Sequence, residues 1–258
     1  MSIQFLKYHG TGNDFVLIDN RDGQFDKKDT TLINRLCDRR FGIGGDGLIL
    51  LENDKISDFA MVYFNSDGNQ STMCGNGGRC IVAFAKRLGI IQNQTTFSAV
   101  DGLHFATIED DIVSLQMKDV DQVHIKDGYS FLDTGSPHHV ELVENLTKYD
   151  VVKNGSAIRN SELYGRTGSN VNYVEKISES EFDLRTYERG VEDETFACGT
   201  GATAAAIAMY ESGKSNSSTI ILNVKGGELK VSFVKKNDIY TEVFLTGPAA
   251  FVFKGEIE

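Results

Sequence analysis

Two stretches of the chain are almost unbrokenly apolar, Ile81-Val82-Ala83-Phe84-Ala85 and Ala204-Ala205-Ala206-Ile207-Ala208. Neither leaves a polar face at the 3.6-residue period, so each predicts a helix buried on all sides. The helical pattern runs from Gly78 to Leu88 and from Ala202 to Ser212. Gly89 and Gly213 follow in the place favoured for a left-handed C-cap. Strand patterns flank both helices. Phe59 to Phe64 precedes the first, and the alternating Phe182-Asp183-Leu184-Arg185-Thr186-Tyr187 precedes the second. Thr95-Thr96-Phe97 and Thr219-Ile220-Ile221-Leu222 resume as strands afterwards.

The two patterns are one pattern used twice. Cys74-Gly75 recurs as Cys198-Gly199, an offset of 198 − 74 = 124 residues. At that offset Val16 falls on Val140, Gly44 on Gly168, Tyr63 on Tyr187, Gly77 on Gly201, Gly89 on Gly213, Thr95 on Thr219 and Gly102 on Gly226. The expectation is an α+β fold of two pseudo-symmetric halves. Each half is a curled, mostly antiparallel, barrel-like sheet around a buried central helix, with an active site in the cleft between them. The halves are set at 1–119 and 120–249. The remainder, 250–258, carries Phe251-Val252-Phe253 and is expected to add a strand back onto the first half.

Composition narrows the partners. A formal net charge of −11 argues against nucleic acid and against an anionic membrane surface. It does not disfavour a small zwitterionic substrate. No apolar run approaches the ~18 residues that span a bilayer. The start, Met1-Ser2-Ile3-Gln4-Phe5, lacks the pattern of a signal peptide. Four cysteines without that signal predict free thiols in the cytoplasm.

Cys74 and Cys198 each stand directly before a helix, where backbone N–H groups and the helix dipole favour thiolate. The neighbouring glycines let those N–H groups approach a carboxylate closely. Two such thiols facing each other suit inversion of an α-carbon, one taking a proton and the other returning one. Charge that builds on the substrate carboxylate would meet two helix N-termini. That chemistry needs neither a metal nor a cofactor. A Cys74–Cys198 redox disulfide is the rival reading. Cys37 and Cys80 read as core residues, since Cys80 falls on Ala204 in the repeat. Gly42-Ile43-Gly44-Gly45-Asp46-Gly47 matches G-x-G-x-x-G, but it follows the helical stretch Leu32 to Arg39 and precedes the strand-like Leu48 to Leu51. That order is wrong for a dinucleotide fingerprint.

Several segments in combination resemble the diaminopimelate epimerases. They are His9-Gly10-Thr11-Gly12-Asn13-Asp14-Phe15, Asn65-Ser66-Asp67-Gly68, Cys74-Gly75-Asn76-Gly77, Asn170-Val171-Asn172, Glu188-Arg189-Gly190, Ala197-Cys198-Gly199-Thr200-Gly201 and Gly247-Pro248-Ala249. The likeness extends from residue 5 to 255. Proline racemases share the cysteine pair but carry Cys-Gly-His-Gly where this chain has Asn76. The resemblance implies a cofactor-free isomerase, a homodimer, interconverting LL- and meso-diaminopimelate. It makes Cys74 the acid and Cys198 the base in the LL-to-meso direction. It gives the reacting carboxylate to the amides of Gly75, Asn76, Gly199 and Thr200, and the reacting amine to Glu188. Arg189, with Asn65, Asn170 and Asn13, would read the distal end. Two positions depart from the family pattern. Ser136 stands where an asparagine is usual, in Gly135-Ser136-Pro137-His138, and Gly47 replaces a glutamine. His138 matches the family and is an auxiliary candidate, as is Ser136.

Overall fold

The computed structural model describes residues 2–258. The chain divides into two compact units. One runs to Leu115 and takes in Gly247–Glu258, and the other is Gln116–Thr246. The first is built from β1 (Ile3–Gly10), β2 (Asn13–Asp19), α1 (Thr30–Cys37), β3 (Gly47–Glu52), β4 (Phe59–Asn65), α2 (Gly75–Arg87), β5 (Gln94–Ala99), β6 (Gly102–Glu109) and β7 (Ile112–Gln116). β2/β3 and β4/β5 are parallel pairs, while β1/β2, β3/β4, β5/β6 and β6/β7 are antiparallel. α2 packs against β1, β2, β3, β4 and β6, and every residue from Gly75 to Ala85 is buried.

The second unit comprises β8 (Val123–Ile125), β9 (Ser130–Asp133), β10 (Pro137–Leu142), α3 (Val151–Arg159), β11 (Asn170–Lys176), β12 (Glu181–Glu188), β13 (Asp193–Thr195), α4 (Gly199–Glu211), β14 (Thr219–Val224), β15 (Gly227–Lys236) and β16 (Ile239–Pro248). Its parallel pairs are β10/β11 and β12/β14. α4 packs against β8 to β12, β14 and β15. The last strand, β17 (Ala250–Ile257), pairs antiparallel with β1. The α+β class and the wrapped central helix are therefore present in each unit.

Strand register reproduces the duplication and also corrects it. Phe15 lies opposite Gly47 and His139 opposite Val171, both 32 residues apart (47 − 15 and 171 − 139). In the next ladder Gly47 faces Asn65, but Val171 faces Tyr187. Asn65 therefore corresponds to Tyr187, an offset of 122, and Tyr63 corresponds to Arg185. The coincidence of Tyr63 with Tyr187 is not structural equivalence. The lost two residues return before the helix, because Asn65 to Cys74 is 9 residues and Tyr187 to Cys198 is 11. A second slip occurs further on. Gly102 (φ 126°) opens β6 as Gly227 (φ 137°), not Gly226, opens β15.

Both central helices begin directly after their cysteines, three residues earlier than apolar periodicity marks them. Glycine is a poor helix former, which masks these first turns in the sequence. Packing explains the glycines. A Cβ on Gly77 would lie 3.0 Å from Ile49 Cδ1 and one on Gly78 would lie 2.9 Å from Leu115 Cδ2. The burial expected of the apolar run in α2 holds, yet two residues before it the helix also encloses a charge, Arg79, at 0% exposure.

Candidate active site

In the first unit, Cys74 is the N-cap of α2, with extended backbone (φ −104°, ψ 129°) and a half-buried side chain. The first helical hydrogen bond runs from Gly78 N to Cys74 O at 2.7 Å. The amides of Gly75, Asn76 and Gly77 come before it and point out of the positive end of the helix dipole. Cys74 Sγ donates to Asn13 Oδ1 at 3.7 Å, and Asn76 Nδ2 donates to the same oxygen at 3.1 Å. Asn13 Nδ2 in turn donates to Asp46 Oδ2 at 2.6 Å. Arg39 bridges Asp46 (2.7 Å) and Asp14 (2.6 Å), and Lys7 meets Asp14 at 2.7 Å. Burial alone would raise the Asp14 carboxyl, but hydrogen bonds and charge from Arg39 and Lys7 hold it at about 2.

In the second unit, Cys198 is the N-cap of α4 with similar extended backbone (φ −117°, ψ 112°) and is 7% exposed. Its sulfur lies 3.5 Å from Thr200 Oγ1, and Thr134 Oγ1 donates to Thr200 O at 2.8 Å. A polar knot sits behind this terminus. Asn172 Nδ2 donates to His138 Nδ1 (3.1 Å) and to His139 O (2.9 Å), while Asn172 Oδ1 accepts from Thr186 Oγ1 (3.0 Å). His138 is fully buried, and that burial, followed by the charge of Arg189, pushes its imidazole down to about 3. It is therefore neutral at pH 7. Because Nδ1 accepts from Asn172, the proton sits on Nε2, which is buried with no hydrogen-bond partner.

Glu188 closes β12 opposite Asp193, and Arg189 and Gly190 open the four-residue turn of the β12/β13 hairpin. Asn170, 4% exposed, holds this turn by accepting from Arg189 N at 2.9 Å while donating to Pro137 O at 3.1 Å. Arg189 Nη1 donates to Thr167 O at 3.1 Å. The corresponding turn of the first unit is Ser66-Asp67-Gly68, after the exposed Asn65. Gly68 (φ 89°) and Gly190 (φ 93°) occupy one left-handed position. Ser136 is half-buried ahead of β10, its carbonyl accepting from Thr134 N at 3.2 Å. The glycine at position 47 has a steric reason, since a Cβ there would lie 2.5 Å from Phe64 O and 2.6 Å from the Tyr63 ring.

Three residues of these networks, the buried Asn172 and Arg79 and the exposed Asp46, carry no catalytic signature of their own in the sequence. Asn172 reads as one more polar residue in a strand. Arg79 is hidden among glycines, and Asp46 lies inside a glycine run. Each is identified by partners that include at least one from a distant segment: Thr11 for Arg79, Asn13 for Asp46, and His138 with His139 for Asn172.

The sequence model described as diaminopimelate epimerase matches residues 5–122 and 130–252. The chain belongs to the diaminopimelate epimerase family. A family member from Flavobacterium psychrophilum is 64% identical over 256 residues, covering 99% of this chain and all of that one. The diaminopimelate epimerase of Chlorobaculum tepidum is 42% identical over 258 residues, covering 96% of this chain and 98% of the other. Among solved structures, a phenazine biosynthesis protein of the PhzF family from Bacillus anthracis shares the fold at TM-score 0.79 and 14% identity, covering 100% and 99% of the two chains. A hydroxyproline epimerase from Agrobacterium vitis does so at TM-score 0.71 and 14% identity, covering 99% and 92%. At such identities these two speak for the fold alone. The enzyme class that follows from family membership is isomerase.

Proposed function

We propose that this chain interconverts LL- and meso-diaminopimelate by a two-base mechanism in which Cys74 and Cys198 are the catalytic residues. The observation that carries the reading is the duplicated terminus, one cysteine N-cap before one buried helix, used twice at an offset of 124 residues. Epimerisation needs one thiol on each face of the α-carbon. In the LL-to-meso direction Cys198, as thiolate, removes the α-proton, and Cys74, as thiol, delivers one to the other face. The reverse direction exchanges the roles. The carbanion that forms in between shifts charge onto the α-carboxylate. The amides of Gly75, Asn76, Gly199 and Thr200 are the donors this reading assigns to it, and one such donor is worth about 10²–10³ in rate.

Glu188 is assigned to the reacting amine and Arg189 to the distal carboxylate, with Asn65 alongside. Asn170 serves that assignment by fixing the Arg189 turn. Asn13 contacts substrate only by exchanging one of its present partners. Ser136 would supply the shorter hydroxyl where the family pattern has an amide, and His138, with a neutral Nε2–H, is the auxiliary donor of this reading. The product feeds lysine and peptidoglycan precursor synthesis. A working thiol pair suits the reducing cytoplasm, and the family resemblance supports a homodimer.

The test is α-proton exchange in D2O followed by NMR, with LL-diaminopimelate and separately with proline. Exchange with diaminopimelate alone supports the proposal, exchange with proline alone supports a small-amino-acid racemase, and no exchange under reducing conditions eliminates both. Cys74→Ala and Cys198→Ala should each abolish inversion of the α-carbon with an unchanged circular-dichroism spectrum. Full activity in either variant rules out the two-base mechanism.

A further inference from the structure

The side chains behind Cys74 form a chain whose polarity is fixed from both ends. Arg79 is wholly buried in the first turns of α2, and its partners are neutral acceptors: Asn76 Oδ1 (3.0 Å), Thr11 Oγ1 (3.1 Å) and Gly75 O (3.3 Å). A guanidinium can only donate, so Asn76 must turn its oxygen to Arg79 and its amino group to Asn13. At the far end the Asp46 carboxylate can only accept, so Asn13 must turn its amino group there. Both constraints leave Asn13 Oδ1, an acceptor, facing Cys74 Sγ. The order of amide atoms follows from the two charged ends.

We infer that Arg79 and Asp46 are positioning residues that clamp the Asn76–Asn13 chain so that a carbonyl oxygen, not an amino group, meets the Cys74 thiol. An acceptor at that place favours S–H over S⁻, and a reversed amide would do the opposite. The arginine of this clamp is not repeated in the second unit. The counterpart of Arg79 is Thr203 (79 + 124 = 203), which bonds back to Gly199 O at 3.0 Å, and Cys198 faces a Thr200 hydroxyl that can rotate to donate or accept. The clamp thus keeps Cys74 stocked as the acid through a residue, Arg79, that the duplication does not repeat. That consequence rests on the two-base reading above, but the clamp itself can be tested without turnover.

The experiment measures iodoacetamide alkylation of Cys74 against pH in full-length protein carrying Cys198→Ser. Cys37 and Cys80 stay silent, because both are buried and burial pushes each thiol up to about 12. Arg79 on α2 interacts electrostatically with Cys74, Cys80 lies behind it, and Asp46, Asp14, Arg39 and Lys7 form the charged cluster on the Asn13 side. Through-space charge alone predicts that Arg79→Met moves the alkylation midpoint up and Asp46→Asn moves it down, the two summing in the double variant. Either clamp alone still orients the chain, so the inference predicts the same for the single variants. With both clamps gone, the double variant should fall below the sum by about half a pH unit, roughly a threefold excess of thiolate at pH 7. Arg79→Lys with Asp46→Asn keeps one obligate donor and should stay additive. An additive Arg79→Met/Asp46→Asn double overturns the inference. Should Arg79→Met not fold, Asn76→Ala cuts the same chain one link later and replaces it in the cycle. α-Proton exchange, measured separately, reports on the epimerase reading, so either can fail alone.

Discussion

Gly201→Ala puts the geometry of the second terminus to a quantitative test. A Cβ on Gly201 would lie 2.5 Å from Asn172 Oδ1, 3.2 Å from Cys198 Cβ and 3.3 Å from Cys198 Sγ. Ordinary contact begins at 3.4 Å, so Asn172 must retreat by 3.4 − 2.5 = 0.9 Å. Its bonds to His139 O (2.9 Å) and His138 Nδ1 (3.1 Å) cannot both survive that movement. Leaving one buried polar group unpaired costs about 1–3 kcal/mol. The helix preference of alanine over glycine returns up to ~1 kcal/mol. A net destabilisation of about 1–2 kcal/mol is therefore expected from urea unfolding. The thiol must shift by only a few tenths of an ångström, a fraction of the ~1 Å misplacement that costs about a hundredfold. A kcat loss of roughly two- to tenfold should follow, with KM changed less, in the NMR exchange assay. The duplication provides the control. Gly77→Ala alters the same motif position in α2, but there the new Cβ meets only apolar side-chain ends, Ile49 Cδ1 at 3.0 Å and Met61 Cε at 3.2 Å. Those tips can rotate aside, and no thiol is touched. Equal activity and stability for the two variants would refute the reasoning.

Two further outcomes follow from single groups. Histidine ordinarily titrates at 6.5 and His138 at about 3, so between these values the unfolded chain binds a proton that the folded chain refuses. The stability involved is fully present above pH 6.5 and drains as pH falls toward 3, by at most ~1.4 kcal/mol per pH unit. His138→Gln should flatten that limb of the unfolding free energy measured from pH 7 to 4; an unchanged slope places the acid sensitivity elsewhere. Arg185 forks onto Glu194 at 2.6 and 2.7 Å and also donates to Leu146 O and Tyr149 O at 2.8 and 2.9 Å. Arg185→Ala leaves a largely buried carboxylate with only Lys225 and should cost about 2–4 kcal/mol in urea, Arg185→Lys recovering less than half. Specific activity of the folded fraction should not change.

What the sequence by itself determined is what depends on local pattern. Apolar runs without a polar face dictate buried helices, and Gly89 and Gly213, both at positive φ, mark where they end. The recurrence of Cys74 in Cys198 made both helix termini legible, because a cap, its glycines and its helix lie within one short segment. Tertiary structure decided what depends on registry and on partners from afar. Ladder pairing, not residue identity, aligns Asn65 with Tyr187 and Tyr63 with Arg185, since an insertion and a deletion that cancel before the helix leave the 124-residue offset intact on either side. The polar knot of Asn172, His138 and Thr186 and the clamp of Arg79 and Asp46 were equally out of reach. A buried polar group is stable only when distant segments supply its hydrogen bonds. Chain order carries no record of which segments those are, and so the different surroundings of the two thiols emerge only when the strands have paired.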